Sequence, residues 1–219
     1  MEKIKLILTT AFACAFLAGC ASKRAVVDST WTQKPSKVKI VFTEPIVANP
    51  DDLADDLPDY VHNFSDWYKA QIEANLGDYS NGVLYAVEKV SRDEITSEVS
   101  SVNGINIKTP KMKTMDESAD VYLVMDDLWI GRTESETTCT PGAGGFGAGG
   151  MGMGMTCSTQ KDFTGKGNYA YFDVKTGKKL GYGDFESKAS YTFAVSQSDW
   201  IDVVKKTVKT MFKDTPIAQ

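Results

Sequence analysis

The sequence predicts an α/β (α+β) domain, a mixed, mainly antiparallel sheet of about five strands with two helices on one face. Three observations lead there. Lys37 to Thr43 alternates apolar and polar residues, Ala119 to Ile130 is apolar almost throughout, and Phe64–Leu76 and Ser198–Lys213 repeat apolar residues at helical spacing.

In chain order, KVKIVFT (37–43) puts Val38, Ile40 and Phe42 on one side of a first strand, which Pro45 stops. ANPDDLADDLPDY follows as a solvated acidic loop. Its aspartates at 51, 52, 55, 56 and 59 lack the D-x-D-x-D-G spacing of a calcium loop. Phe64, Tyr68, Ile72 and Leu76 share one face of a helix, with Ser65 as cap and Gly77 as stop. Gly82 to Val90 is a second strand, parallel to the first if a right-handed crossover joins them. Residues 91–118 hold no sustained period and read as a long connection with short extended pieces. Ala119 to Ile130 (ADVYLVMDDLWI) belongs at the sheet centre, buried on both faces. Phe163–Val174 and Leu180–Tyr191 form hairpin arms, with Gly177 supplying a positive φ between them. The closing helix lines up Trp200, Ile201, Val204, Val208, Met211 and Phe212, with Ser198 as its cap. Lys205, Lys206, Lys209 and Lys213 gather toward its C-terminal end, where the helix dipole favours cations. Hydrophobic residues make up 42% and charged residues 24% of the chain, a balance that suits one folded domain over residues 37–215.

The amino terminus sets the compartment. Lys3 and Lys5 form a basic start, an apolar run extends from Ile4 to Phe16, too short to span a bilayer, and small residues lead into Cys20. That is the layout of a secretory signal, and Leu17-Ala18-Gly19-Cys20 resembles the lipobox of bacterial lipoproteins. The resemblance implies a signal peptide over residues 1–19 and acylation of Cys20 as the first residue of the mature chain. Residues 20–36 would form a lipidated tether, and Ala21 and Ser22 resemble an outer-membrane address, facing the periplasm. Loss of Glu2, Lys3 and Lys5 takes the formal net charge from −5 to about −6. Such a surface repels nucleic acid and anionic head groups, so the lipid rather than charge is expected to hold the protein at the membrane.

The four cysteines then sort themselves. Cys14 leaves with the signal, Cys20 carries lipid, and Cys139 and Cys157 remain as a pair in an oxidising compartment. They are expected to form a disulfide closing a loop between a strand ending near Ile130 and one starting near Phe163. It should contribute about 3 kcal/mol on the chain-entropy account.

Residues 140–156 of that loop hold eight of the 18 glycines, with Phe146, Met151, Met153 and Met155 as apolar groups able to touch a partner. G-x-G-x-x-G occurs at Gly142-Gly144-Gly147 and at Gly147-Gly149-Gly152. Neither copy directly follows a strand and opens a helix, so the dinucleotide reading fails. The three methionines would lie on one side of an extended chain, which makes Cu(I) handling the alternative function; the main reading assigns no metal and no cofactor. His62 has no nucleophile near it in the sequence. Asp126 and Asp127, adjacent in a strand, are expected on opposite faces and so unable to form an acid/base pair.

ADVYLVMDDL, the FDVKTGKKL hairpin and the terminal amphipathic helix together resemble uncharacterised bacterial lipoprotein families. Their domain is similar to the TolB amino-terminal domain and to lipoprotein activators of penicillin-binding proteins. The resemblance implies no catalytic residues. It implies a membrane-anchored, non-enzymatic periplasmic module that binds an envelope protein partner in envelope assembly or maintenance.

Overall fold

Val38, Ile40 and Phe42 are fully buried on one side of their strand, and Val41 is fully buried on the other. This two-sided burial recurs across the sheet and fixes what must cover it. The computed structural model describes residues 24–79, 82–141 and 155–218. Its strands are β1 (Ala25–Val27), β2 (Lys37–Phe42), β3 (Ile46–Val47), β4 (Leu84–Lys89), β5 (Ile95–Val102), β6 (Ile105–Met112), β7 (Val121–Pro141), β8 (Met155–Asp173) and β9 (Lys179–Tyr191). The helices are α1 (Pro50–Asp56), α2 (Phe64–Leu76) and α3 (Gln197–Phe212).

Seven strands form the main sheet in the order β1-β9-β8-β7-β2-β4, with β3 pairing β7 beyond β2. The sheet is mixed: β1–β9, β9–β8 and β8–β7 are antiparallel and hold the longest ladders, whereas β2–β4, β2–β7 and β3–β7 are parallel. The expectation of about five strands and two helices is thus too low. β1 lies within the stretch read as tether, and α1 lies within the stretch read as a solvated acidic loop.

Both omissions have physical reasons. Ala25–Val27 pairs with Gly181–Gly183, where the missing side chains let the edge strand come close: a Cβ on Gly183 would sit 2.8 Å from the Arg24 carbonyl oxygen. In α1, Pro50 opens the helix and Asp51 and Asp52 complement its positive end, while Leu53 and Leu57 are buried four residues apart. At the other end Ile217 is fully buried, so the ordered domain runs past residue 215.

The three helices lie on one face. Leu53, Tyr68, Ile72, Trp200, Val204 and Val208 share a core with Leu123 and Tyr171 of the sheet. The opposite face carries Tyr122, Val124, Ala170 and Phe172, covered by Ile95 and Met112 of the β5–β6 hairpin. That hairpin occupies the stretch read as an irregular connection. Its turn is Asn103-Gly104, with φ of 51° and 80°, and Val102 pairs with Ile105 across it. Two consecutive left-handed residues make the tight turn that Asn-Gly encodes, so the signal was present in the sequence. Gly177 does adopt a positive φ of 65° in the β8–β9 turn. The caps differ from expectation: α2 starts after Asn63 and α3 after Ser196, whose N–H donates to the Asp199 carboxylate at 2.8 Å.

β7 keeps both cores filled by changing face part-way. Val121, Leu123 and Met125 point to the helices, and so do Leu128 and Ile130. The switch from odd to even positions requires an extra residue, and β7 has one: Asp126 pairs with Asn168 but Trp129 with Lys166, so two residues of β7 face Gly167 alone. Asp127 takes φ 52° at this bulge.

Gly165 and Gly167 of β8 face the helices where space is shortest. A Cβ on Gly165 would lie 2.6 Å from Val203 Cγ1 of α3. Gly165→Ala is expected to destabilise the protein by about 1–3 kcal/mol through overpacking, read as a lower urea midpoint at unchanged slope.

The hairpin is clamped at its rim. Lys179 donates to Glu98 at 2.5 Å and to Ser100 at 2.9 Å, and the Tyr182 hydroxyl donates to the Ser101 carbonyl at 3.3 Å. Lys179 holds the Glu98 carboxyl below its ordinary value of 4.5. A lowered folded pKa means this contact stabilises above pH 4.5 and is lost as pH falls through the folded value. Below pH 4.5, amide exchange in β5 and β6, corrected for intrinsic rate, should rise before that of β7 and β8. Glu98→Gln should show a smaller rise.

Candidate functional site: a disulfide-pinned ribbon

β7 and β8 outrun the sheet. The pairing of β7 with β3 ends at Ile130, and that of β8 with β9 ends at Lys161. The β7–β8 ladder nevertheless continues through Thr137–Thr159 and Cys139–Cys157 to Pro141–Met155. Its last part is a two-stranded ribbon without a strand neighbour on either edge among the described residues. Thr137 to Pro141 would carry it about 17 Å.

The Cys139 and Cys157 sulfurs are bonded, on Cα atoms 4.0 Å apart, so the expected disulfide is present. Its setting differs from expectation. The flanking strands do not end near Ile130 and Phe163, and the bond is a rung within the ladder rather than the clasp at the base of a loop. Thr137 and Thr159 share a hydroxyl hydrogen bond of 2.8 Å across the same ribbon. Met155 begins β8. Phe146, Met151 and Met153 lie outside the described residues, as does Cys20.

The ribbon's root is tied on both sides. Arg132 Nε lies 3.0 Å from Asp52 and its Nη2 3.9 Å from Asp56, both in α1, and the guanidinium sits 5.9 Å from the Tyr191 ring centre. Burial raises the Tyr191 hydroxyl pKa, with Arg132 opposing the rise. Trp200 Nε1 of α3 donates to Asp56 at 3.1 Å. Asp52 and Asp56 are therefore structural partners of the root and not solvated loop residues. On the other strand, Ser190 donates to Asp162 at 2.7 Å and Gln160 donates to Ser190 at 2.7 Å. Phe193, two residues beyond the end of β9, is 95% exposed at this same end of the sheet.

The remaining polar clusters are internally matched. Asp126 and Asp127, expected on opposite faces, are brought by the bulge to the same cations. Arg92 lies 3.6 and 3.8 Å from them, Lys108 lies 3.9 and 2.6 Å away, and Thr43 donates to Asp126 at 2.8 Å. These contacts join the hairpin to the sheet. A groove of ≈ 590 Å³ at the opposite end of the sheet is lined by Trp31, Lys34, Asp120 and Asp173. Asp120 there accepts the Ser36 and Lys37 N–H groups, and Asp173 accepts from Thr176. His62 is exposed in the turn before α2. Among the described residues no group of three or more His, Cys, Asp or Glu could hold a metal ion, and no helix is long and apolar enough to cross a membrane.

No family model matches the chain, and no curated protein matches it in sequence. Solved structures give low-identity likenesses. A neuraminyllactose-binding hemagglutinin homolog from Helicobacter pylori has TM-score 0.37 and 11% identity over 83% of this chain and 84% of its own. The PelC dodecamer from Paraburkholderia phytofirmans has TM-score 0.36 and 10% identity over 89% and 95%. A minor lipoprotein from Acinetobacter baumannii has TM-score 0.30 and 11% identity over 80% and 88%. Likenesses at this level transfer no residue role.

A two-stranded hairpin alone is marginal in water, so the disulfide is what holds the ribbon closed. Cys139→Ser/Cys157→Ser should speed amide exchange at residues 137–140 and 156–160 by roughly 100-fold, the equivalent of about 3 kcal/mol, while the middle of β7 keeps its protection.

Proposed function

We propose that this chain is a lipoprotein anchored through Cys20 to the bacterial outer membrane and facing the periplasm. It works as a non-catalytic interaction module in envelope assembly or maintenance, and the ribbon is its partner-binding element. One observation carries the reading. Among the described residues, the ribbon strands Thr137–Pro141 and Met155–Gln160 have no strand on their outer edges and carry no charged residue, with a proline only at the last position, Pro141. Unpaired edges without charge are templates for another strand, which folded proteins otherwise block with lysine, proline or a cover. An envelope protein adding a strand to one edge would satisfy those backbone groups, and exposed Phe193 beside the root would add apolar contact.

Cys20→Ser should move the protein from the membrane fraction to the soluble periplasm and abolish palmitate incorporation; unchanged membrane fractionation would refute the anchor. Thr138→Lys/Ser158→Lys places charge on the ribbon while keeping the disulfide. It should cut partner crosslinking in intact envelopes by about 10-fold with little change in thermal midpoint. Undiminished crosslinking would refute the ribbon as the binding element.

A further inference from the structure

We propose that the lipidated protein does not hang from a tether but lies on the membrane through its β1 edge and the lysine face of α3, with an anionic lipid head-group layer as partner. The inference rests on the anchor reading at Cys20.

The length of the leash is the first argument. Residues 20–36 were expected as tether, yet the chain is fixed from Arg24 onward. The Arg24 guanidinium lies 3.1 Å from the Asp184 carboxylate, its carbonyl accepts the Asp184 N–H at 3.1 Å, and β1 follows at once in the sheet. Only Ala21, Ser22 and Lys23 separate Cys20 from Arg24. Four residues reach about 14 Å at full extension. Acyl chains inserted at Cys20 therefore keep the β1–β9 edge within that distance of the head groups.

Charge is the second argument. Arg24 and Ala25 share a groove with Thr210 and Lys213 at the end of α3. The exposed stripe of α3 consists of Asp202, Lys205, Lys206, Lys209, Thr210 and Lys213, and Lys206 donates to the Lys188 carbonyl of β9 at 2.6 Å. The acids packed beside the stripe are largely matched. Asp184 pairs with Arg24, and Glu186 lies 3.2 Å from Lys188 and 3.6 Å from Lys166. Lys205 lies 3.5 Å from Asp78. Asp28, which shares a groove with Lys213 and Asp214, is paired with Lys178 at 2.6 Å, Asp202 lies on the stripe itself, and Lys23 in the leash adds a further cation. A chain that is net negative thus presents a net positive face beside its own anchor, and basic clusters next to an anchor bind anionic head groups. The hairpin lies on the other side of the sheet, away from this contact.

The test uses full-length acylated protein on vesicles of phosphatidylethanolamine and phosphatidylglycerol. The comparison is a variant with about 20 Gly/Ser residues inserted after Ser22, enough for a mean reach of ~25 Å. Lysines are acetylated briefly and read by peptide mass. Lys206, Lys209 and Lys213 should react at least about three-fold more slowly in the native protein than in the linker variant, while Lys111 and Lys113 of the hairpin side react equally in both. The amino-terminal peptide reports acylation separately. An unmodified Cys20 would overturn the anchor reading and this inference with it, whereas an acylated Cys20 with equal α3 rates in both variants would overturn the docking alone. Protection should weaken on phosphatidylcholine vesicles; equal protection there would overturn the anionic partner.

Discussion

The β7–β8 pair is the interaction on which the rest depends. Its lower part must fill two cores at once: Leu123 and Tyr171 on the helix side, Val124 and Phe172 on the hairpin side. Its upper part fills neither and runs on as the ribbon. One ladder from Val121–Asp173 to Pro141–Met155, shifted in register after Asp126 and again after Glu134, therefore joins the most buried and the most exposed segments of the sheet. Opening its lower rungs would expose both cores, while opening the upper ones exposes only backbone. The disulfide lies in the second region, where packing contributes least to holding the strands together.

The bulge at Asp126–Leu128 follows from the same two-sided demand. Without the extra residue Leu128 and Ile130 would turn to the hairpin side, and the helix-side core above Met125 would lose both. The bulge leaves Asp127 in left-handed backbone, which aspartate tolerates better than most residues. It also leaves Asp126 almost fully buried, so that carboxylate needs partners. Thr43, Arg92 and Lys108 supply them from three separate segments. The local fault in the strand thus becomes the point where the hairpin is tied down.

What the sequence made legible was set by local periodicity. β2, α2, the apolar part of β7 and α3 were readable because each has one face or two to bury over many residues. The β5–β6 hairpin was hard to read from β5, which buries only its end residues Ile95 and Val102; β6 alternates more clearly, with Ile107 and Thr109 buried, and the Asn-Gly turn was a further signal. β1 and α1 are short and owe their place to distant partners, Gly183 and Arg132, which no local window contains. The parity change from Met125 to Leu128 was visible as a break in alternation and would have put Asp126 and Asp127 at a bulge. Of the candidate site, the cysteine pairing was legible from compartment and count. The length of the ribbon was not, because Thr, Ser and Gln have no buried face to reveal a period.

The ribbon differs from the other borders of the sheet in how its edges are protected. At one border β1 pairs over only three residues and is followed closely by the turn that docks Trp31 on Tyr171, ring centres 5.3 Å apart. At the other, β4 carries Glu88 and Lys89, which are ion-paired to Lys39 and Glu44. Short length and charge are the usual means of keeping a sheet from pairing with stray strands. On the ribbon the β7 edge carries Arg132, Glu134 and Glu136 just beyond its last neighbour at Ile130, and only Thr137–Pro141 and Met155–Gln160 are free of charge. A covalent rung that holds such edges in register keeps them in a form another strand can join. The bond thus lies where neither core holds the strands, and it keeps the two ribbon strands in register.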